Sequence, residues 1–428
     1  MGKSTAIPIP ETRTTQSLTA LLEKLLVDEH ILPAHRELAR NIGDLSDFFN
    51  RLKKPLPTSG KENLYMSDPS LRAAYLAYFF PVNCVKTFLL LRRIAAEGFL
   101  SAVQSSSAST PPATPMSPTP PTALAMSALR TTPLKILDFG CGPGSAALGA
   151  AFYLANAGGI IDANDSRGDA APPHPAVTEI YLVDQSTTVL KTATRLLQRS
   201  DLPLQIHAAG RIPPAVDFDL ILAFNVLNEN TVDEAKRIFA LLKSHLDPTG
   251  RLLIAEPALR ETSRRLMELR DQLLTDPDIA LLWPCRHCTN CPGILAENDW
   301  CHGTEVWERP DWITQIDREI GNKKERLNYA ALLYAAAGGA CGSVGTSATI
   351  WRVVSDPIIE HGKRVLYLCG GPSGERIRAT ALERHLSESN RYFFAAQRYD
   401  LLRIEGTLEK KGDGFRLSPE TKTSLVRG

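Results

Sequence analysis

The sequence predicts an α/β protein whose central feature is a parallel sheet of βαβ units. Five short apolar runs separated by helical patterns carry this prediction, because alternating strands and helices place parallel strands side by side. The runs occupy residues 135–139, 179–183, 204–208, 219–224 and 251–256. A glycine-rich turn follows the first run and opens a helix over 145–156. We therefore expect a Rossmann-like sheet with a ligand crevice at the carboxyl ends of its strands.

The composition is that of an ordinary folded protein, with 43% hydrophobic and 22% charged residues over 428 positions. That length accommodates a core of roughly 200 residues with accessory regions. The formal net charge of +1 argues against a protein that coats nucleic acid by charge alone, and we expect no DNA partner. The most apolar segment, 73–95, contains Pro81, Lys86, Arg92 and Arg93, so it predicts packed core helices and no membrane span.

The chain before the sheet has a helical pattern. Leucines recur at spacings of three and four in residues 18–26, which is typical of an amphipathic helix. We assign residues 1–103 to a helical N-terminal region and 104–128, rich in Pro, Ser and Thr, to a linker. The first residues lack the apolar stretch of a secretory signal and the arginines of a mitochondrial presequence. We therefore expect a cytoplasmic bacterial protein, with the mitochondrial matrix as the alternative.

The turn after the first strand carries the pattern D-x-G-x-G-x-G, formed by Asp138, Gly140, Gly142 and Gly144. Alternate glycines let the backbone turn sharply and approach a ligand at the positive end of the following helix. The spacing differs from the G-x-G-x-x-G of dinucleotide folds, which favours S-adenosylmethionine over NAD. The region 129–283 is therefore predicted to be the core of a class I SAM-dependent methyltransferase domain.

Polar side chains follow the second and fourth predicted strands. Asp184 ends the second strand, where a carboxylate can accept both ribose hydroxyls of the donor, and an insertion at 157–177 explains its long separation from the glycines. Asn225, Asn228 and Glu229 follow the fourth strand, at the edge that borders the crevice. We interpret Asn225 as a cofactor contact, although helix capping explains all three residues equally well. No catalytic base is identifiable, because neither an Asn/Asp-Pro-Pro-aromatic run nor a cysteine nucleophile occurs at the expected place.

A cysteine-rich segment follows the fifth strand. Its thiols and imidazoles are Cys285, His287, Cys288, Cys291, Cys301 and His302. Thiolates bind zinc or iron–sulfur clusters, and C-x-x-C-x-x-C-P is typical of cluster-binding ferredoxins, whereas zinc favours two paired knuckles. The spacing therefore favours an iron–sulfur cluster, with zinc as the alternative. It does not match the C-x-x-x-C-x-x-C of radical S-adenosylmethionine enzymes.

The last part of the chain changes character again. We assign 284–347 to the cysteine-rich segment together with the remaining core elements, and 348–428 to a small β-rich C-terminal region. In this region 348–354 and 364–369 have the pattern of strands, and 392–404 that of a strand pair.

Several motifs accompany the glycine loop: VLNE at 226–229, CRH at 285–287, CP at 291–292, DWCH at 299–302, RV at 352–353 and RVLYLCGGPSG at 364–374. Together they resemble the methyltransferase-like small-ribosomal-subunit assembly factors of bacteria and mitochondria, over about residues 133–374. The resemblance implies a 4Fe–4S cluster held by four cysteines, which here are Cys285, Cys291, Cys301 and Cys369. This sequence departs from the family pattern at Cys288, which the family does not require.

The resemblance also implies a partner, the small ribosomal subunit or its rRNA during maturation. Two interpretations stay open: an RNA methyltransferase whose cluster braces the RNA-binding face, and an assembly factor that uses the fold for docking and transfers no methyl group. A small-molecule methyltransferase with structural zinc is a third. Basic residues around the cysteine segment are candidates for contact with RNA phosphates: Arg286, Arg309, Arg318, Lys323, Lys324 and Arg326.

Overall fold

The computed structural model describes residues 13–32, 36–50, 64–100, 133–157, 177–336, 349–371 and 374–426. Within these ranges an N-terminal helical layer is followed by two eight-stranded sheets. The linker predicted at 104–128 and nearly all of the insertion predicted at 157–177 lie outside the described residues.

The helices before the first sheet are α1 (Arg13–Asp28), α2 (Arg36–Asn50), α3 (Leu64–Ser67), α4 (Pro69–Ala74) and α5 (Phe80–Ala96), with a π-helical turn at Tyr75–Phe79. The strands of the first sheet are β1 (Leu134–Phe139), β2 (Thr178–Val183), β3 (Leu204–Ala209), β4 (Phe218–Phe224), β5 (Leu246–Glu256), β6 (Ile279–Trp283), β7 (Gly303–Val306) and β8 (Arg326–Ala336). The helices that connect them are α6 (Ser145–Ala157), α7 (Thr187–Gln198), α8 (Val232–Lys243), α9 (Arg260–Leu273) and α10 (Asp311–Ile320).

The first sheet has the strand order β3-β2-β1-β4-β5-β8-β6, with β7 paired to β8. Strands β1 to β5 pair in parallel, whereas β8 runs antiparallel to both β5 and β6. This order, with one antiparallel strand between the fifth and sixth, is the class I methyltransferase fold. The five predicted strands are confirmed. Strands β6 and β8 had not been predicted individually, and they complete the sheet from the region where core elements were expected.

The N-terminal helices are part of the core. The segment Pro69–Ala96 is long and apolar enough to cross a membrane, but 78% of its most apolar window is buried inside the structure. Helix α5 packs along α6, with the rings of Phe88 and Phe152 5.8 Å apart. A buried ion pair between Arg93 and Glu305 joins α5 to β7. This helical layer therefore covers the sheet next to the predicted crevice.

The second sheet consists of β9 (Ile350–Val353), β10 (Ile358–Glu360), β11 (Lys363–Gly370), β12 (Glu375–Leu382), β13 (Leu401–Glu405), β14 (Leu408–Lys411), β15 (Gly414–Leu417) and β16 (Lys422–Leu425). Its order is β14-β15-β12-β11-β9-β13-β16, with β10 on β11, and all pairs except β12 with β15 are antiparallel. The predicted β-rich character of this region is confirmed.

The predicted strand pair at 392–404 is only half right. Leu401–Glu405 is a strand, but Arg391–Ala395 forms a short helix, α11. The aromatic run in this helix has the propensity of a strand. Tertiary packing overrides it, because the helix buries Phe393 completely in the core of the second sheet.

Candidate functional site

Of the three glycines in the glycine loop, one leaves its backbone open to a ligand. Gly140, Gly142 and Gly144 have φ angles of 67°, 51° and 84°, in the region that favours glycine. A Cβ atom at Gly140 would lie 2.6 Å from Val226, and one at Gly144 would lie 2.8 Å from Leu197. A Cβ atom at Gly142 would meet no atom within 4 Å. Two of the glycines are therefore required by packing, and Gly142 gives a ligand access to the backbone.

Two carboxylates hold this loop. Asp138 is buried and accepts a hydrogen bond from the Ala147 amide at 2.9 Å. Burial, together with the nearby charge of Asp184, raises the pKa of the Asp138 carboxyl to about 7. Asp184 accepts hydrogen bonds from the amides of Gly142 at 3.1 Å and Ser186 at 2.9 Å. Asp184 thus shapes the loop, in addition to the ribose contact predicted for it, and both carboxylates favour a cationic ligand.

The turn after β4 is organised by a residue that the sequence did not reveal. Glu256, at the end of β5, accepts hydrogen bonds from the amides of Val226 at 3.2 Å and Leu227 at 2.8 Å. With its amide nitrogen turned toward them, Asn228 donates to the Asn225 carbonyl and to Glu256, at 3.0 and 2.9 Å. Asn225 itself has a φ angle of 56°. The position of Glu256, a carboxylate ending a strand as Asp184 does, was the available signal.

We call the space bordered by Gly142, Asp184, Asn225 and Glu256 the donor crevice. Its two walls are in contact, because Gly140 in the glycine loop faces Val226 in the turn after β4. Asp138, the three glycines, Asp184 and Asn225, which the sequence analysis assigned to donor binding, lie in the loops that border this space, together with Glu256. Asn228 holds the turn, so of the two interpretations of this residue the structural one fits better.

Four free cysteines from two segments of the chain, 285–301 and β11, come together next to helix α9. They are Cys285 after β6, Cys291 and Cys301 before β7, and Cys369 on β11. Burial first, and then the charges of the neighbouring thiols, raise the pKa of Cys291 to about 12 and that of Cys301 to about 11. The pKa of Cys369 is raised for the same reasons. We call these four residues the cysteine junction.

Cys288 differs from the four residues of the junction. It forms a disulfide bond, whereas the other four thiols are free. Over the described ranges, no group of three or more His, Cys, Asp or Glu side chains is arranged to hold a single metal ion. The thiolates of a cubane cluster bind four different irons and therefore stand farther apart than the ligands of one zinc ion.

Two side chains of helix α9 form hydrogen bonds with the cysteine loop, residues 285–291. Arg270, which is 1% exposed, donates to the carbonyls of His287 at 2.8 Å and Thr289 at 2.5 Å. Asp271 accepts the Cys291 amide with both carboxylate oxygens, at 2.9 and 3.0 Å. His287 in turn lies 3.6 Å from the Cys369 sulfur through its Nε2 atom. Burial and the charge of Arg270 lower the pKa of His287 to about 4, so this imidazole is neutral.

Two buried hydrogen-bond donors near Cys285 have no acceptor among the described residues. The Nε atom of Arg270 and the hydroxyl of Tyr334 are buried, and neither forms a hydrogen bond with any described residue. Both residues are electrostatically coupled to Cys285. Tyr399 also places its hydroxyl 3.3 Å from the Cys301 sulfur. Because buried donors are rarely left unsatisfied, this surrounding fits an anionic, sulfur-rich group in the junction.

Hydrogen bonds and packing link the junction to the N-terminal helices, the first sheet and the second sheet. Arg352 on β9 forms a buried bidentate ion pair with Glu97 at the end of α5, with both distances 2.7 Å. The same guanidinium donates to the carbonyls of Pro284 at 3.2 Å and Tyr399 at 2.7 Å. A Cβ atom at Gly374 would overlap His287, so the turn after Cys369 packs directly on the cysteine loop.

The basic residues predicted to face RNA differ in their ion pairing and in their exposure. Arg309 pairs with Asp317 at 2.6 Å, and Arg326 pairs with Asp356 at 2.8 Å. Arg286 and Lys324 are half-buried, whereas Arg318 and Lys323 are exposed. The sequence pattern showed the cations but not the acidic side chains that tertiary folding places against them.

Comparison with known proteins agrees with this arrangement. The sequence profile of the family described as mitochondrial small ribosomal subunit Rsm22 matches residues 122–398, well over half of the chain. No curated protein matches the sequence.

Solved structures of methyltransferases are similar to this chain at low identity. The magnesium protoporphyrin IX methyltransferase of Synechocystis PCC 6803, with bound SAM, is 14% identical over 71% of this chain and 99% of its own, with a TM-score of 0.31. An O-methyltransferase family protein of Burkholderia thailandensis is 14% identical over 70% of this chain and 73% of its own, with a TM-score of 0.33. The fold assignment rests on the strand order, and the family assignment rests on the profile. The chain belongs to the Rsm22 family of the mitochondrial small ribosomal subunit.

Proposed function

We propose that this protein binds S-adenosylmethionine in the donor crevice, carries a 4Fe–4S cluster in the cysteine junction and engages the RNA of the small ribosomal subunit during assembly. One observation carries the proposal: four free thiols from two segments of the chain converge where the methyltransferase sheet meets the C-terminal sheet. Helix α9 links this point to the donor crevice, because Arg265 donates to the Asn230 carbonyl at 3.5 Å and Arg270 supports the cysteine loop.

The donor crevice supports the first part. Gly142 provides an open backbone face, and Asp184 retains acceptor capacity beyond its two amide contacts for the ribose hydroxyls. Asp138 adds a buried carboxyl that a sulfonium cation would favour in its ionised form. We assign Asp138, Gly140, Gly142, Gly144, Asp184 and Asn225 to donor binding.

The junction supports the second part. Cys285, Cys291, Cys301 and Cys369 supply four thiolates, and the unsatisfied donors of Arg270 and Tyr334 face the same place. When bound, a 4Fe–4S cluster supplies a covalent link between the two segments and a one-electron redox centre. Zinc is the alternative occupant, but among the described residues no group of three or more His, Cys, Asp or Glu side chains is arranged to hold a single metal ion.

Family membership supports the proposed partner and compartment. The family description names the mitochondrial small subunit, which favours the mitochondrial matrix over the bacterial cytoplasm. Between catalysis and docking, the structure favours docking. Glu256 and Asn228, the polar groups next to the donor crevice, are used to hold the turn after β4.

Anaerobic purification tests the cluster, and sedimentation tests the partner. We expect a brown protein that contains iron and acid-labile sulfide and that co-sediments with immature small subunits at low salt. Cys369→Ser should lose the colour, and Cys288→Ser should keep it. A colourless zinc protein that stays at the top of the gradient while methylating a small molecule would contradict the proposal. Mass spectrometry of small-subunit RNA with and without the protein separates catalysis from docking.

A further inference from the structure

Two thiols of the cysteine junction each contact a buried polar group from the other part of the fold. The hydroxyl of Tyr399, just before β13 of the second sheet, lies 3.3 Å from the sulfur of Cys301, just before β7 of the first. The Nε2 atom of His287, in the cysteine loop, lies 3.6 Å from the sulfur of Cys369 on β11 of the second sheet. Both distances allow a hydrogen bond to sulfur. The two contacts therefore cross between the sheets in opposite directions.

The surroundings of Tyr399 fix its hydroxyl against the sulfur. Tyr399 is 1% exposed, and Cys301 is the only hydrogen-bond partner of its hydroxyl among the described residues. The ring of Trp283 packs edge-to-face against the Tyr399 ring, with 5.4 Å between the ring centres. The φ angle of Tyr399 is 71°, a conformation that costs free energy for a residue with a Cβ atom and persists only where the surrounding structure fixes it. Such a conformation favours a role for this side chain beyond packing.

His287 is held equally firmly. It is buried, and Arg270 donates to its carbonyl at 2.8 Å. The other ring nitrogen, Nδ1, lies 2.9 Å from the hydroxyl of Thr289. A Cβ atom at Gly374 would lie 2.6 Å from the imidazole ring. The turn after Cys369 therefore packs against the ring and keeps Nε2 next to the sulfur.

The chemistry of a ligand thiolate decides which atoms donate. A thiolate that binds iron carries no proton, so with the proposed cluster bound the Tyr399 hydroxyl is the donor to Cys301. For the same reason His287 carries its proton on Nε2 and donates to Cys369. The Thr289 hydroxyl then donates to the unprotonated Nδ1 atom. Each of the two thiolates thus accepts one charge-assisted hydrogen bond.

Hydrogen bonds to the sulfurs of an iron–sulfur cluster affect its reduction potential. One-electron reduction adds one negative charge, and donors aimed at the thiolates stabilise that charge. We propose that Tyr399 and His287 are positioning residues that donate to the ligand thiolates of Cys301 and Cys369 and raise the reduction potential of the cluster. The proposal rests on the 4Fe–4S cluster proposed above and names the side chains that tune it. Since both hydrogen bonds cross between the sheets, the docking of the second sheet on the first sets part of this potential.

A redox titration of the anaerobically purified full chain, monitored by electron paramagnetic resonance, tests this role. Tyr399→Phe and His287→Leu should each lower the ratio of reduced to oxidised cluster at a fixed potential about tenfold, which is about 59 mV for a one-electron couple. His287→Gln keeps an N–H donor and should retain most of the wild-type potential. The matched control is Tyr329→Phe, because the Tyr329 ring lies 6.1 Å from that of Tyr399 but its hydroxyl donates to Glu305. Its potential should equal that of the wild type.

A substitution that keeps the hydroxyl covers the case in which Tyr399→Phe fails to assemble a cluster. 3-Fluorotyrosine at position 399 differs from tyrosine by one fluorine, so the packing is nearly unchanged. Its hydroxyl is more acidic and donates a stronger hydrogen bond, so the reduction potential should rise, in the direction opposite to that of Tyr399→Phe. A potential that stays the same or falls would contradict the role of this hydroxyl.

The outcomes separate this inference from the cluster itself. Wild-type potentials in both Tyr399→Phe and His287→Leu would overturn the inference and leave the cluster in place. An equal shift in Tyr329→Phe would assign the effect to general loosening of the buried aromatic side chains, and would also overturn it. If the wild-type protein contains neither iron nor sulfide, the proposed cluster and this inference both fall.

Discussion

The donor crevice and the cysteine junction are built in different ways. In the crevice the two shaping carboxylates are already engaged, because Asp184 and Glu256 both accept backbone amides and hold the two walls. In the junction the thiols raise one another's pKa, and two buried donors have no acceptor. The contacts of Asp184 and Glu256 need no ligand, whereas the proposed cluster would supply the acceptor that the junction lacks.

This difference predicts which site governs stability. A preformed crevice gains little fold stability from its ligand beyond mass action. A junction that brings together four thiols depends on the ligation energy, which adds directly to the free energy of folding. Changes in the junction should therefore affect folding, and changes in the crevice should affect binding.

The largest effect is expected from losing a junction thiol. Cys301→Ser should abolish the colour and lower the free energy of unfolding by more than about 4 kcal/mol, as for the loss of a structural metal site. Chemical denaturation of anaerobically purified protein, with iron and sulfide assays, measures both effects. Cys288→Ser is the matched control from the same loop and should leave the colour unchanged. If Cys288 proves essential and Cys369 dispensable, the ferredoxin-like spacing identifies the ligands and the family-based set is wrong.

The next effect concerns donor binding alone. Gly142→Asp should weaken S-adenosylmethionine binding roughly hundredfold, about 2.7 kcal/mol, because the carboxylate fills the open backbone face and repels the donor's carboxylate. Titration calorimetry measures this, with Gly142→Asn as a control of similar size without the charge. Gly144→Ala should instead destabilise the fold, because its Cβ atom would lie 2.8 Å from Leu197. Unchanged binding by Gly142→Asp would exclude this loop as the donor site.

Local sequence patterns predicted the donor crevice better than the cysteine junction. The glycine loop and Asp184 are contiguous with strands of recognisable apolar pattern, so their positions followed from the sequence. Glu256 was missed, although it ends a strand as Asp184 does, because its partners are backbone amides at the end of a different strand.

The cysteine junction illustrates the same limit. Cys285, Cys291 and Cys301 lie in one segment and were identifiable as a thiol cluster from spacing. Cys369 lies on a different sheet and was assigned only through the family resemblance. Its proximity to the other three depends on the docking of the turn at Gly374 against His287. Arg270 was one of several arginines on an amphipathic helix, and only burial distinguishes it.

A smaller effect should appear as a pH dependence of donor binding. The pKa of Asp138 is about 7 in the empty protein, and the positive charge of the donor should lower it. Binding therefore releases a proton below pH 7, and affinity should fall by up to about tenfold from pH 8 to pH 6. Calorimetry at several pH values measures this dependence. Asp138→Asn can still accept the Ala147 amide and should flatten the profile, whereas a profile that stays steep would assign the titration to another group.

The smallest expected effect is that of Tyr334→Phe, which distinguishes most directly between a junction with a bound cluster and one without. Tyr334→Phe removes a buried hydroxyl that has no partner among the described residues, so in protein without a cluster it should raise the free energy of unfolding by about 1 kcal/mol. In cluster-loaded protein the same hydroxyl is expected to donate to a cluster or thiolate sulfur beside Cys285, and its removal should speed the loss of iron to a chelator.

Denaturation of the metal-free form and chelation of the loaded form measure the two outcomes in one variant. Tyr329→Phe is the control, because that buried hydroxyl already donates to Glu305 at 2.8 Å and should destabilise both forms alike. If Tyr334→Phe changes neither measurement, the hydroxyl does not face the occupant, and the argument that unsatisfied donors distinguish the junction from the crevice fails.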